Sequence, residues 1–154
     1  MKAKPEQQAE NPTLRIVRQF NVSPEVVFDA FTDAKAMRVW WTDDTCIDID
    51  LRPGGHWTIR RKEGDMVFTM TGEYLVVERP YTLQHTIAMP QYSPNSDIVT
   101  MNIVPDDQGG CEVEFIQSGP DIAAELKELA PGTVSQSEKG WQQGFDLMAA
   151  AWAK

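Results

Sequence analysis

From Ser137 to Ala153 the large apolar side chains recur as Trp141, Phe145, Met148 and Trp152, at i, i+4, i+7 and i+11, while Gln142, Gln143 and Asp146 fall elsewhere on the helical wheel. That spacing is one side of a long α-helix, predicted over Ser137–Ala153. A helix with one broad apolar side must be covered, and most of the chain before it is strand-like. The economical cover is a sheet curled around the helix.

The strands are read from alternation and from turn residues. Leu14–Phe20 is strand-like in composition and closes at Asn21-Val22. Cys46–Leu51 alternates and runs into Arg52-Pro53-Gly54-Gly55, where Pro fixes φ and Gly accepts positive φ, so a hairpin returns through His56–Lys62. Glu63-Gly64-Asp65 turns into a long strand, Met66–Glu78, with a bulge or bend expected at Gly72. Tyr81–Ala88, Asp97–Val104 and Cys111–Gln117 complete an antiparallel meander, with Leu83, His85 and Ile87, then Val99, Met101 and Ile103, then Cys111, Val113 and Phe115 each sharing a face. Two short helices are expected after the first strand. One is capped by the Ser23 oxygen with Pro24 at its first position, and the other runs from Ala34 to Val39 with Ala36, Met37 and Trp40 inward. A third covers Asp121–Leu129 before Pro131-Gly132.

A chain of 154 residues with 42% hydrophobic content holds one core. The expected organisation is a flexible polar tail at residues 1–12 and a single domain over 13–154, monomeric or homodimeric. The 23 Asp and Glu against 14 Lys and Arg repel phosphate backbones and anionic lipid, so neither nucleic acid nor membrane insertion is expected. Cys46 and Cys111 match no paired motif and read as small core residues, and the first residues lack a signal-peptide apolar run, so the expected compartment is the cytoplasm.

No reactive constellation stands out. His56 and His85 are far apart with no Cys or carboxylate at ligand spacing, which argues against a zinc site, and no glycine pattern makes a phosphate loop, so neither metal nor cofactor is expected. Glu112 and Glu114 are out of phase with Val113 and Phe115 and read as a solvated face, whereas Gly72 leaves open which of Glu73 and Tyr74 turns inward. Arg60 and Arg61 point to opposite faces of one strand, so one of them can reach a cavity, where its charge would call for a carboxylate. An apolar wall of Trp57, Phe115, Trp141, Phe145 and Met148, with Arg60, Tyr74 and His85 as orienting polar groups, is the mix of a small-molecule site. No residue is assigned as catalytic.

Val22-Ser23-Pro24-Glu25 through Phe31-Thr32-Asp33, Trp40-Trp41, Asp50-Leu51-Arg52-Pro53-Gly54-Gly55, Gly72-Glu73-Tyr74, Glu78-Arg79-Pro80, Gln117-Ser118-Gly119 and Gly140-Trp141, taken in order, resemble the START-like, polyketide cyclase and lipid-transport superfamily (SRPBCC). Within it the chain is similar to the branch related to the C-terminal domain of the heat-shock chaperone ATPase activator. The resemblance implies an α+β helix-grip fold of the START/Bet v 1-like kind. Where members commonly carry His near the end of the last strand, this chain has Gln117. The leading expectation is a non-enzymatic protein that binds a small hydrophobic or amphipathic molecule between the last helix and the sheet. The resemblance also leaves two alternatives: a cyclase, dehydratase or hydrolase-like enzyme on an aromatic or polyketide-like substrate, and a chaperone-associated or stress-response interaction protein.

Overall fold

The computed structural model describes residues 11–153, so the expected tail at residues 1–12 lies, except for its last two positions, outside the described residues. Strand β1 (Leu14–Phe20) leads into helix α1 (Pro24–Thr32) and a 3-10 turn (Ala36–Val39). The strands β2 (Cys46–Ile49), β3 (His56–Glu63), β4 (Met66–Glu78), β5 (Thr82–Ile87), β6 (Asp97–Pro105) and β7 (Cys111–Ser118) follow, and then helices α2 (Pro120–Lys127) and α3 (Gln136–Trp152). The seven strands form one antiparallel sheet in the order β1-β7-β6-β5-β4-β3-β2. The β2–β7 stretch is the expected meander, and β1 closes beside β7 with Ile16 opposite Phe115.

Alternation decides which face is covered: Cys111, Val113, Phe115 and Gln117 of β7 are buried, as are Val99, Met101 and Ile103 of β6. Helix α3 lays its stripe on this concave face. Phe145 packs on Phe115 at 5.8 Å and on Phe20 at 6.0 Å between ring centroids, and Trp152 meets Phe20 edge-on at 5.3 Å. This is the helix-grip α+β fold, a curved sheet holding a terminal helix.

Several local expectations are corrected. Helix α3 begins one residue early, because Ser135 rather than a later residue caps it, its hydroxyl accepting from the Glu138 N–H at 3.1 Å. Ser23 stands at the N-cap of α1 with extended backbone but makes no side-chain cap; its carbonyl takes the Val26 and Val27 N–H groups instead. The segment Ala34–Val39 forms only the single 3-10 turn, with Met37 buried, and α2 stops two residues before Leu129. Cys111 is buried as expected, but Cys46 is exposed: on edge strand β2 the inward positions belong to Ile47 and Ile49. The register shift in β4 falls between Tyr74 and Val76, not at Gly72. Gly72 serves close approach, since a Cβ there would lie 1.9 Å from the Thr86 carbonyl oxygen and 2.5 Å from Trp57 Nε1.

Candidate functional site

Between α3, the 3-10 turn and the β3–β5 part of the sheet lie two adjoining spaces. The outer is a groove of about 500 Å³, whose walls include Phe68 and Ile87 from the sheet, Met89 from the segment after β5, and Gly140, Gly144 and Leu147 from α3. The inner is a chamber of about 30 Å³ behind it, lined by Trp57, Tyr74, His85 and Phe115. Trp40, Trp41, Met70 and Trp141 border both.

Each wall is placed by its element. Strand β3 turns Trp57 and Ile59 inward by alternation, and β4 does the same for Tyr74 while Glu73 stays exposed beside His56. The 3-10 turn ends in Trp40, whose indole N–H donates to the Ala30 carbonyl at 2.7 Å and whose ring packs on Trp41 at 5.2 Å. Trp141 is held from the sheet: its Nε1–H donates to Gln117 Oε1 at 2.9 Å, and Gln117 Nε2 donates to the buried Asp97 carboxylate at 3.0 Å. Asp97 also accepts the Asp121 and Ile122 N–H groups at the start of α2, so one carboxylate ties β6, β7, α2 and, through Gln117, the Trp141 wall. Gln117 is therefore a positioning link in this chain.

Polar atoms inside are few. His85 is 8% exposed, with Nδ1 at 2.8 Å from the Thr86 carbonyl oxygen, which places the ring proton on Nδ1 and leaves Nε2 with its lone pair. Burial pulls its pKa down to about 4, with the Thr86 carbonyl opposing, so the ring is neutral at pH 7. Burial, aided by Asp50, pushes the Tyr74 phenol well up, so it too is neutral. Trp41 Nε1 and Trp57 Nε1 are buried without an acceptor. An unpaired buried donor costs about 1–3 kcal/mol; Trp57 Nε1 lies against Gly72, and Trp41, which carries the other, borders both spaces. Among the described residues no group of three or more His, Cys, Asp or Glu gathers at metal-binding distance.

Of the residues expected to form the site, Trp57, Tyr74, His85, Phe115 and Trp141 come together around the inner chamber. Phe145 and Met148 are fully buried in the core under α3 and border neither space. Arg60 is a correction: it is exposed on the convex side, and Arg61 is the arginine at the groove. The signal was in the sequence, since Arg61 is in phase with Trp57 and Ile59 on a period of two. Trp40 and Trp41, an aromatic pair that the sequence also offers as pocket wall, border both spaces. Met70 gave no site signal of its own, and Gln117 drew notice through the family resemblance alone.

A family model for the Activator of Hsp90 ATPase homolog 1-like protein matches residues 21–153. No curated protein matches the sequence. Among solved structures, a protein from Chromobacterium violaceum superposes with a TM-score of 0.71 at 22% identity, covering 93% of this chain and 99% of that one. A protein from Rhodobacter sphaeroides gives 0.74 at 17% identity, covering 94% and 93%. An HSP90 activator from Plasmodium falciparum gives 0.66 at 20% identity, covering 85% and 88%. At these identities the likeness establishes the fold.

Proposed function

The chain belongs to the Activator of Hsp90 ATPase homolog 1-like family, and we propose that it holds a small hydrophobic or amphipathic molecule between α3 and the sheet. The observation that carries this reading is the aromatic-walled groove of about 500 Å³, within the size range of small-molecule sites, with Trp40, Trp41 and Trp141 among its walls. The inner chamber, at about 30 Å³, takes a water or a ligand's polar tip rather than a ring, since a benzene-sized guest needs a cavity of about 150 Å³. The ligand body therefore belongs in the outer groove.

The test is a fluorescence titration with the neutral apolar dye N-phenyl-1-naphthylamine, repeated on Gly140→Phe. Gly140 borders the groove and a Cβ there meets nothing within 4 Å, so the new ring enters the groove without disturbing the helix. Saturable binding to the native protein, weakened at least tenfold by the substitution, is expected. No saturable binding, or binding indifferent to Gly140→Phe, overturns the proposal.

Family membership and the Plasmodium falciparum neighbour favour a second reading, association with a chaperone. The β3–β4 hairpin tip, where Met66 is 62% and Val67 53% exposed side by side, is one apolar surface available for it. Sedimentation of the chain mixed with an Hsp90-type chaperone tests this reading, and co-migration lost in Met66→Lys/Val67→Lys is the supporting result.

A further inference from the structure

The cavity differs from the rest of the molecule in charge. The chain carries 23 Asp and Glu against 14 Lys and Arg, yet among the described residues no acidic side chain lines the groove or the inner chamber. Arg61 is the one Lys or Arg lining them, and His85 is neutral. The Arg61 guanidinium lies over the Trp41 ring at 6.0 Å and the Phe68 ring at 5.9 Å, both of them groove walls. Two aromatic faces thus hold the cation at the groove's edge. Its ionic partner, Glu63, comes from the end of the same strand and is half exposed.

Resting on the cavity reading above, we propose that the ligand is an amphipathic anion whose head group, a carboxylate or its equivalent, pairs with Arg61 while its apolar body lies along the groove. The guanidinium fork suits a planar oxyanion with two oxygens, and the Trp41 and Phe68 rings limit the freedom it would lose on binding. The absence of acidic walls matters as much as the arginine. On a chain of net charge −9, a groove edged with average surface would repel such a head group, and this one does not. Glu63 is the competitor: it holds Arg61 when the groove is empty, and the ligand's oxygens replace its own. The deeper positions hold no cation, and Asp50 acts on Tyr74 there, so the anion belongs at the mouth rather than in the inner chamber.

Two dyes of one skeleton test this, neutral N-phenyl-1-naphthylamine and its 8-sulfonate, the sulfonate standing for the oxyanion. The readout is the ratio of their affinities, in which any general loss of folding or cavity cancels. In the native protein the sulfonate is expected to bind at least about tenfold tighter, about 1.4 kcal/mol. Arg61→Gln should bring the ratio to about one, Arg61→Lys should keep part of it, and Glu63→Gln should raise it by freeing the guanidinium. Higher salt should lower the native ratio, because a half-exposed ion pair is screened. Equal affinities in the native protein, or a ratio indifferent to Arg61→Gln and to salt, overturn the anion inference while the cavity reading stands. If neither dye binds, both fall.

Discussion

Two glycines of α3 face different surroundings, and the difference can be worked into a pair of opposite stability changes. At Gly140 an added Cβ meets nothing within 4 Å, whereas at Gly144 it would lie 2.7 Å from Trp40 Cε3 and 3.1 Å from Cζ3. Both sites are inside a helix, so Gly→Ala gains about 0.8–1 kcal/mol in helix propensity at each. Gly140→Ala keeps that gain. Gly144→Ala must push aside an indole ring that is packed on Trp41 and Phe31 and tied to the Ala30 carbonyl at 2.7 Å. Overpacking of this kind costs about 1–3 kcal/mol, and straining or losing the hydrogen bond costs about 1 kcal/mol more. The net expectation for Gly144→Ala is a loss of about 1–3 kcal/mol, some 2–4 kcal/mol apart from Gly140→Ala. Urea unfolding of the two variants and the parent, compared at unchanged m-value, measures the gap. Because Trp40 borders both spaces, Gly144→Ala should also weaken dye binding. If the two variants are equally stabilised, the packing of α3 on the 3-10 turn, and the cavity built from it, is wrong.

His85 supplies a pH dependence. Its pKa is about 4 in the folded chain against 6.5 for an unburied His, so between those values the unfolded chain takes up a proton that the folded chain refuses. Stability should therefore fall as pH drops from about 6.5 to about 4, by about 3 kcal/mol in all, and level off below. His85→Leu should remove this part of the slope, and a variant with the parent's pH profile contradicts the assignment. The two thiols should separate cleanly: exposed Cys46 reacts with a thiol reagent in the native protein, whereas Cys111, fully buried and with its thiol pushed up to about 11 by burial, reacts only on unfolding. Two equivalents of rapid native reaction would refute that burial. Asp97→Ala strands the Gln117 amide and two backbone N–H groups, and thermal or urea unfolding should register a loss of at least about 3 kcal/mol. A loss below about 1 kcal/mol would mean that the network is dispensable.

The sheet and the terminal helix were legible because each has a period that survives any tertiary context: two in β6 and β7, and 3.6 in the Trp141–Trp152 stripe. Helix ends were less legible, because Ser23 and Ser135 look alike in sequence and only one uses its hydroxyl as a cap. Gly72 drew attention as a bend, but what it accommodates is the Thr86 carbonyl and the Trp57 indole, which neighbour it only in the assembled sheet. The site was half visible. Trp57, His85 and Trp141 carry a strand or helix phase that aims them inward, and so does Arg61, whose phase was the better guide than its neighbour's, whereas the choice between Glu73 and Tyr74 was left open by Gly72 and is made by the fold. Phe145 and Met148 share the helix face with Trp141 but are fully buried in the core, and a stripe does not reveal which of its residues border a gap. The Asp97–Gln117–Trp141 chain spans three elements and leaves no trace in local sequence.

The five tryptophans provide the most direct test of the ligand cavity. Trp40 and Trp141 spend their indole N–H groups on Ala30 and Gln117, those of Trp41 and Trp57 have no acceptor, and Trp152 packs on Phe20 away from both spaces. An indole ¹⁵N–¹H NMR titration with N-phenyl-1-naphthylamine, with each signal assigned by Trp→Phe substitution, reads all five at once. Saturable shifts of the Trp41 and Trp141 signals, with a smaller change at Trp57 and Trp152 unmoved, are the expected result. Shifts confined to Trp152, or no indole shift while the dye still binds, would place the ligand elsewhere and contradict the account.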